Sequence, residues 1–302
     1  MTAAAPRRRR TLREMTYRDS FWVIIFLGPN LAGFLIFTLW PVIMTFVLSL
    51  CSYDILSPMK FIGMQNYQNL FQDEVFLKVF KNTWVYTLTT VPIGVTLSLF
   101  LAIALDKSDR GIRFFRGAYF IPVISSMVSI GVVWQWLYNP EFGLINDLLA
   151  RIGIDGPMWL TSDKTAMISL IIVSIWKNLG YNMLIFLAGL QSIERNYYEA
   201  AEIDGASWWQ QFRSITVPLL TPTTFFVLVM AFIGSFQVFD LVMMMTQGGP
   251  GRATSVVVHY LYQNAFKFFK MGYASAMAYV LFAVILVVTG IQMLFQRKWV
   301  NY

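Results

Sequence analysis

The chain has 302 residues, of which 57% are hydrophobic and only 13% charged, against about 25% charged in an average soluble domain. Its apolar residues gather in long blocks instead of recurring at core-forming intervals, which excludes a water-soluble globule and calls for a lipid bilayer. The formal charge of +7 does not mark a nucleic-acid binder, because the basic residues sit at the block edges, and one cysteine and one histidine exclude an internal disulfide, a cysteine zinc cluster and an HExxH metal site.

Arg7 to Arg10, Arg13 and Arg18 precede the first apolar block, as an anchor on an anionic cytoplasmic face would. That block, 21–48, is far longer than the roughly 7–15 residues of a signal-peptide core. Leu50 also puts a bulky side chain where a lipoprotein cleavage site before Cys51 needs a small one, so the block reads as a retained span. Further blocks at 83–105, 115–137, 166–190, 223–245 and 274–295 each exceed the about 20 residues that a spanning helix needs. The expected fold is an all-α polytopic membrane protein of about six helices. The expected divisions are a basic segment 1–20, a single transmembrane domain 21–298 and a tail 299–302. Pro29, Pro41, Pro92 and Pro122 remove backbone donors in or near the helices and predict kinks.

Lysine and arginine counts set the expected orientation. With the N-terminus inside, the inner segments carry fourteen and the longer outer segments eight, and Lys177 inside a span completes the 23. Both termini are therefore expected in the cytoplasm. The outer segments, such as 61–67 and Gly248-Gly249-Pro250-Gly251, are rich in aromatic and turn residues and read as structured.

The most informative stretch lies between the fourth and fifth blocks: Glu199-Ala200-Ala201-Glu202-Ile203-Asp204-Gly205-Ala206, followed by Pro218 and Pro222. Local chemistry predicts two short helices over 196–217. Asn196 caps the first with Glu199 reaching back, Gly205 ends it in a left-handed conformation, Ser207 with Gln210 boxes the second, and Pro218 closes it. Ala200, Ala201 and Ala206 leave room for another protein's surface, and Glu199, Glu202 and Asp204 make the tip acidic. On capping alone, a solvated loop fits as well.

The run from Tyr198 to Ala206, with Phe212, Ile215, Pro218, Leu219 and Pro222, resembles the EAA motif of binding-protein-dependent ABC importer permeases. Trp176-Lys177-Asn178-Leu179-Gly180-Tyr181-Asn182-Met183 with Ala188-Gly189-Leu190-Gln191 is similar to the carbohydrate branch (maltose, glycerol-phosphate and multiple-sugar type). So are Phe61-Ile62-Gly63 with Asn66-Tyr67, and Thr246-Gln247-Gly248-Gly249-Pro250 with Tyr262, Phe266 and Gly272-Tyr273-Ala274. Arg195 departs from the pattern, standing where members often have proline.

The resemblance implies the type I importer permease fold, with the hairpin as a cytoplasmic coupling helix formed by Glu199, Ala200, Ala201, Asp204, Gly205 and Ala206. Glu199 would meet a basic partner residue, the alanines would fill a cleft, and Gly205 would permit the turn. It also implies the partners: a second, homologous permease forming a heterodimer, two ATP-binding cassette subunits, and an extracellular or periplasmic solute-binding protein. The expected setting is a bacterial or archaeal plasma (inner) membrane, with lipid around the spans and a carbohydrate as cargo.

The chain has no GxxxxGK[ST] loop, no GxSxG and no paired-carboxylate constellation, so no catalytic residue is expected. No cofactor or metal is expected either, and ATP and Mg would be used by the partner ATPase. Rival readings are a permease for a non-sugar solute, an ion-coupled secondary transporter, and a purely structural subunit. Ionisable groups inside a bilayer are costly and kept for function, and here they are Lys177 and Asp240. Asn178 and Asn182 lie four apart on one helix face beside Lys177 and Tyr181, and Gln237 lies three before Asp240 on the fifth block. With Trp176, Phe236 and Phe239 as ring platforms these residues suit a sugar pathway. They suit helix–helix glue equally, and Lys177 is free to pair with Asp240 instead.

Overall fold

The computed structural model describes residues 17–106 and 110–299. The basic run from Arg7 to Arg13, Lys107 and the tail beyond Trp299 lie outside the described residues. Helix α1 (Tyr17–Phe34) passes through a π-helical turn, Leu35–Leu39, into α2 (Trp40–Ser49). Pro41 accounts for the turn: it offers no N–H to the carbonyl of Phe37, and the helix widens to pass the gap. Pro29 lies inside α1 without ending it.

A two-residue antiparallel ribbon pairs β1 (Cys51–Ser52) with β2 (Lys60–Phe61), and α3 (Gln65–Gln72) follows. Asp73 then caps α4 (Glu74–Ala104), accepting a hydrogen bond from the Val75 N–H at 2.9 Å. Helix α4 runs on through Pro92, where the sequence predicts a kink.

The third apolar block departs from a single helix. Helices α5 (Arg110–Ile124) and α6 (Met127–Leu137) meet at 102° across Ser125 and Ser126. Pro122 withholds one ladder donor, and the Ser125 hydroxyl donates to the Ile121 carbonyl at 2.9 Å, so the last turn of α5 is weakened from two sides.

Helix α7 (Leu144–Arg151) lies in the connection to α8 (Ala166–Gln191). The hairpin consists of α9 (Arg195–Ile203), α10 (Trp208–Gln211), a π-helical turn (Phe212–Thr216) and α11 (Val217–Leu219). Pro218 does not close the hairpin helix as expected. It lies within the helix that runs from Trp208 to Leu219, just after the π-helical turn, as Pro41 does in the first span, and the 63° bend comes at Leu220. The fifth block is divided too: α12 (Thr221–Phe236) stops, residues 237–239 are irregular, and α13 (Asp240–Met245) restarts. Helix α14 (Val257–Tyr262), a π-helical turn (Gln263–Lys267) and α15 (Met271–Trp299) complete the chain.

Among the described residues four helices are long and apolar enough to cross a membrane: Ile25–Ser49, Glu74–Ala104, Ala166–Gln191 and Met271–Arg297. The two bent pairs raise the number to six. The protein is an all-α polytopic membrane protein.

Three apolar clusters hold it together. Tyr86, Leu170 and Val242 join α4, α8 and α13, with Ile130 of α6 against them. Val91, Met183, Phe186 and Val227 join α4, α8 and α12. Phe76, Phe236, Val257 and Met277 join α4, α12, α14 and α15. Lipid tails are as apolar as these side chains, so close packing does the holding. Gly180 shows how close: a Cβ there would fall on the carbonyl oxygen of Tyr119, so glycine lets α8 seat directly on α5. The first span is peripheral, with 0% of its most apolar window buried in the chain. It leans on α15 through Tyr279, whose hydroxyl donates to the Val42 carbonyl at 2.6 Å and whose ring lies 5.2 Å from that of Phe46.

Candidate functional site

Two features stand out, a polar cavity among the broken spans and the exposed hairpin at one end of them. The cavity measures about 390 Å³ and lies between α4, α8 and the α12–α13 break. That is inside the roughly 300–1,000 Å³ range of small-molecule sites. Its lining includes Lys177, Asn178, Asn182, Gln237 and Asp240, together with Tyr181 and Phe239.

The 3.6-residue period of α8 brings Lys177, Asn178, Tyr181 and Asn182 to this wall. The break brings the others, so Gln237 and Asp240 flank a gap in the helix instead of sharing one turn. Asn178 donates its amide to the Ser174 carbonyl at 2.9 Å, which leaves its side-chain oxygen as an acceptor. Phe239 is braced against Tyr262 at 5.1 Å.

Trp176 is not part of the lining. Its ring packs edge-on against Trp134 at 5.4 Å, one helix position round from the cavity face. Phe236 is also unavailable as a platform, being 1% exposed and packed against Trp84 at 5.0 Å.

Lys177 does not pair with Asp240. Its Nζ donates to the carbonyl oxygens of Pro122 at 3.3 Å and Ser125 at 3.2 Å. These are carbonyls that the end of α5 leaves without helical partners, so the lysine caps a helix broken inside the fold. On the other broken span, Gln135 of α6 donates to the carbonyls of Met244 and Met245 at 2.8 and 3.1 Å.

Sequence reasoning missed the α4 wall. Tyr86 donates to the Ser174 hydroxyl at 2.6 Å beside the cavity. The buried Thr90 hydroxyl lines the cavity with no hydrogen-bond partner among the described residues. A signal was present: Thr83, Thr87, Thr90, Gly94 and Ser98 form a buried small and polar stripe at helical spacing along an otherwise apolar helix.

In the hairpin, α9 begins without a side-chain cap, and Asn196 lies inside it instead of at its cap. Its end is firmly built. Gly205 takes φ +75°, the Ala206 N–H donates to the Ala201 carbonyl at 2.8 Å, and the Gly205 N–H donates to the Glu202 carbonyl at 3.0 Å. These bonds are the two of a Schellman turn. Ser207 and Gln210 form the reciprocal capping box of α10.

Glu199, Ala200, Asp204 and Gly205 are exposed, and Ala201 and Ala206 are half-buried. Ile203 at the tip is 87% exposed, and Trp208 and Trp209 are exposed beside it. The hairpin is braced internally by Tyr198, whose hydroxyl lies 2.9 Å from that of Thr216, and is tied to the spans by Phe212, which stacks on Trp208 at 5.6 Å and on Phe100 of α4 at 6.4 Å. Asp106, just past α4, has its pKa raised by burial against the opposing pull of Arg116 and Arg195.

Broken spans around a polar cavity, with a rigid exposed hairpin at one end, define a membrane permease. The chain belongs to the family described as binding-protein-dependent transport system inner membrane component, whose signature covers residues 74–301. It is 34% identical to the sulfoquinovosyl glycerol transport system permease protein SmoG of Agrobacterium fabrum strain C58, covering 93% of this chain and 92% of that one. It is also 34% identical to the arabinooligosaccharides transport system permease protein AraP of Bacillus subtilis strain 168, over 93% and 90% of the two chains. Its fold matches a chain of the crystal structure of a bacterial ABC transporter involved in the import of the acidic polysaccharide alginate. The TM-score is 0.84 at 24% identity, over 94% of this chain and 98% of that one. The family is one of transport permeases and not of enzymes.

Proposed function

We propose that this chain is a permease subunit of an ATP-driven importer of carbohydrate. The observation that carries the reading is the cavity, where amides, hydroxyls and the Phe239 and Tyr181 rings line one small volume inside the spans. Sugars are held by hydrogen bonds to their hydroxyls and by rings against their apolar faces. The sugar-derived cargo named for SmoG and AraP supports the same class.

In this reading the chain pairs with a second, homologous permease, and each contributes part of the pore. Two ATPase subunits use ATP and Mg, while this chain binds no cofactor. The hairpin, through Glu199, Ala200, Ala201, Asp204, Gly205 and Ala206, seats in an ATPase cleft. Both termini are cytoplasmic, and a solute-binding protein delivers sugar to the opposite face. Trp176 lies outside the pathway assigned to Lys177, Asn178, Asn182, Gln237 and Asp240.

The test is affinity purification of the chain from its native membrane, followed by ATPase assays on the recovered complex. A second permease, an ATPase and a binding protein should co-purify, and a sugar-loaded binding protein should raise hydrolysis. A chain that purifies alone, or a complex stimulated only by a non-sugar solute, would refute the proposal.

A further inference from the structure

Among the described residues Asp240 is the one carboxylate lining the cavity, and Lys177 is the one basic residue there. Lys177 is committed elsewhere, to the carbonyl oxygens of Pro122 and Ser125. Asp240 is exposed in this chain and has neither a hydrogen-bond nor an ion-pair partner among the described residues. The other polar groups of the lining are the amides of Asn178, Asn182 and Gln237 and the hydroxyls of threonine, serine and tyrosine side chains, and they carry no net charge. The Lys177 ammonium keeps its charge but is held against the carbonyl end of α5, whose dipole offsets part of it, so Asp240 is the unpaired charge that the cavity presents to whatever enters it.

We propose that Asp240 is a specificity-determining residue that admits neutral or amino sugars and rejects sugars bearing a carboxylate, sulfonate or phosphate. The proposal rests on the carbohydrate reading above. A neutral sugar offers hydroxyl protons to the Asp240 oxygens, and an amino sugar adds a complementary charge. An acidic sugar brings a second negative charge, and Lys177 is already engaged. Discrimination then comes from repulsion of the wrong cargo as much as from attraction of the right one. Permeases of this fold do serve acidic cargo, as the alginate importer shows, so the fold itself does not impose the filter.

The experiment uses the assembled complex of both permeases and the ATPases, without binding protein, so that delivery does not mask the cavity's own preference. The probes are a neutral glucose disaccharide and its counterpart with one glucuronic acid, with binding measured by equilibrium dialysis. The wild-type complex should bind the neutral sugar about tenfold or more tightly than the acidic one, as like-charge contacts of several kcal/mol allow. Asp240→Asn should reduce that ratio to about threefold or less, while Asp240→Glu preserves it.

Equal affinities in the wild type, or an unchanged ratio in Asp240→Asn, would overturn the assignment. So would loss of the partner permease from the Asp240→Asn complex, because the carboxylate would then be paired across that interface. No detectable binding of either sugar, in a complex whose ATPase still responds to sugar-loaded binding protein, would overturn it as well. A complex that responds to no sugar at all would instead remove the carbohydrate reading on which the proposal stands.

Discussion

The ammonium of Lys177, near the middle of α8, donates to the backbone carbonyl of Ser125 at 3.2 Å, at the point where the third span breaks. A cation placed at a helix C-terminus satisfies open carbonyls and meets the negative end of the helix dipole. The charge in the middle of a span thus serves a sharp turn within the bilayer. Replacing Lys177 with methionine keeps the length and removes the donor. The assembled complex should lose about 1–3 kcal/mol of stability, the cost of leaving buried acceptors unpaired. Lys177→Arg should restore much of it. Thermal unfolding of the purified complex checks both, and equal stability for wild type and Lys177→Met would show that the two carbonyls need no cap.

Gly180 gives a second stability prediction. Since its absent Cβ would fall on the Tyr119 carbonyl, Gly180→Ala has to push α5 and α8 apart. Overpacking of this kind costs about 1–3 kcal/mol. Gly189→Ala, whose Cβ meets a movable Thr223 side chain, should cost less. Folded yield after membrane insertion and resistance to protease should rank wild type first, Gly189→Ala second and Gly180→Ala last.

The Schellman turn makes the hairpin a rigid object, and Gly205 carries the strain that any side chain there would add. Nothing lies within 4 Å of a Cβ at Gly205, so a substitution acts only through its φ of +75°. The cost is roughly 1 kcal/mol for alanine and more for a β-branched residue. Gly205→Val should therefore misdirect the tip while insertion and pairing with the second permease survive. Glu199→Lys should reverse an exposed charge with the same selectivity. Co-purification of the ATPase and sugar-stimulated hydrolysis should fall about tenfold or more in each, as a misplaced or repelled contact allows. Wild-type values in both would remove the hairpin from the ATPase interface.

Asp73 joins three elements. It caps α4 and accepts the hydroxyls of Tyr260 at 2.9 Å and Tyr273 at 2.7 Å. Burial raises its pKa, but the Tyr273 and Tyr260 hydroxyls and the Phe76 and Val75 N–H groups outweigh that and hold it below the ordinary 3.8. The folded pKa is the lower one, so this stabilisation is complete above pH 3.8 and is lost as pH falls through the folded value. Asp73→Ala should cost about 2–4 kcal/mol at neutral pH, from the lost cap and the charged hydrogen bonds. The gap between the melting temperatures of wild type and variant should hold steady around neutral pH and narrow as the pH is lowered past 3.8.

Much of the architecture was legible because apolar blocks long enough to span a bilayer have few other uses. The breaks were legible only in part: Pro122 marked a kink in the third span, but nothing marked its 102° depth or the gap in the fifth. The first break is capped by Lys177, which arrives from another helix, and at the second Gln237 and Asp240 read as two polar residues within one helix. The same limit applies to the site. Helical spacing placed Asn178 and Asn182 on one face correctly, yet it could not show that Trp176, one position earlier, turns to Trp134. The Thr90 wall was hidden by habit, since threonine in an apolar helix commonly bonds to its own backbone and draws no notice.

Among the described residues the first span contributes nothing to the cavity, to the Lys177 cap or to the hairpin. Its 80%-exposed Phe37 and 73%-exposed Phe26 show how little of it the rest of the chain covers. In engineering terms the helix is a module. Its first half can carry a fluorophore or a tether, while Val42, Phe46 and Ser49 keep its second half seated on α15 and α3.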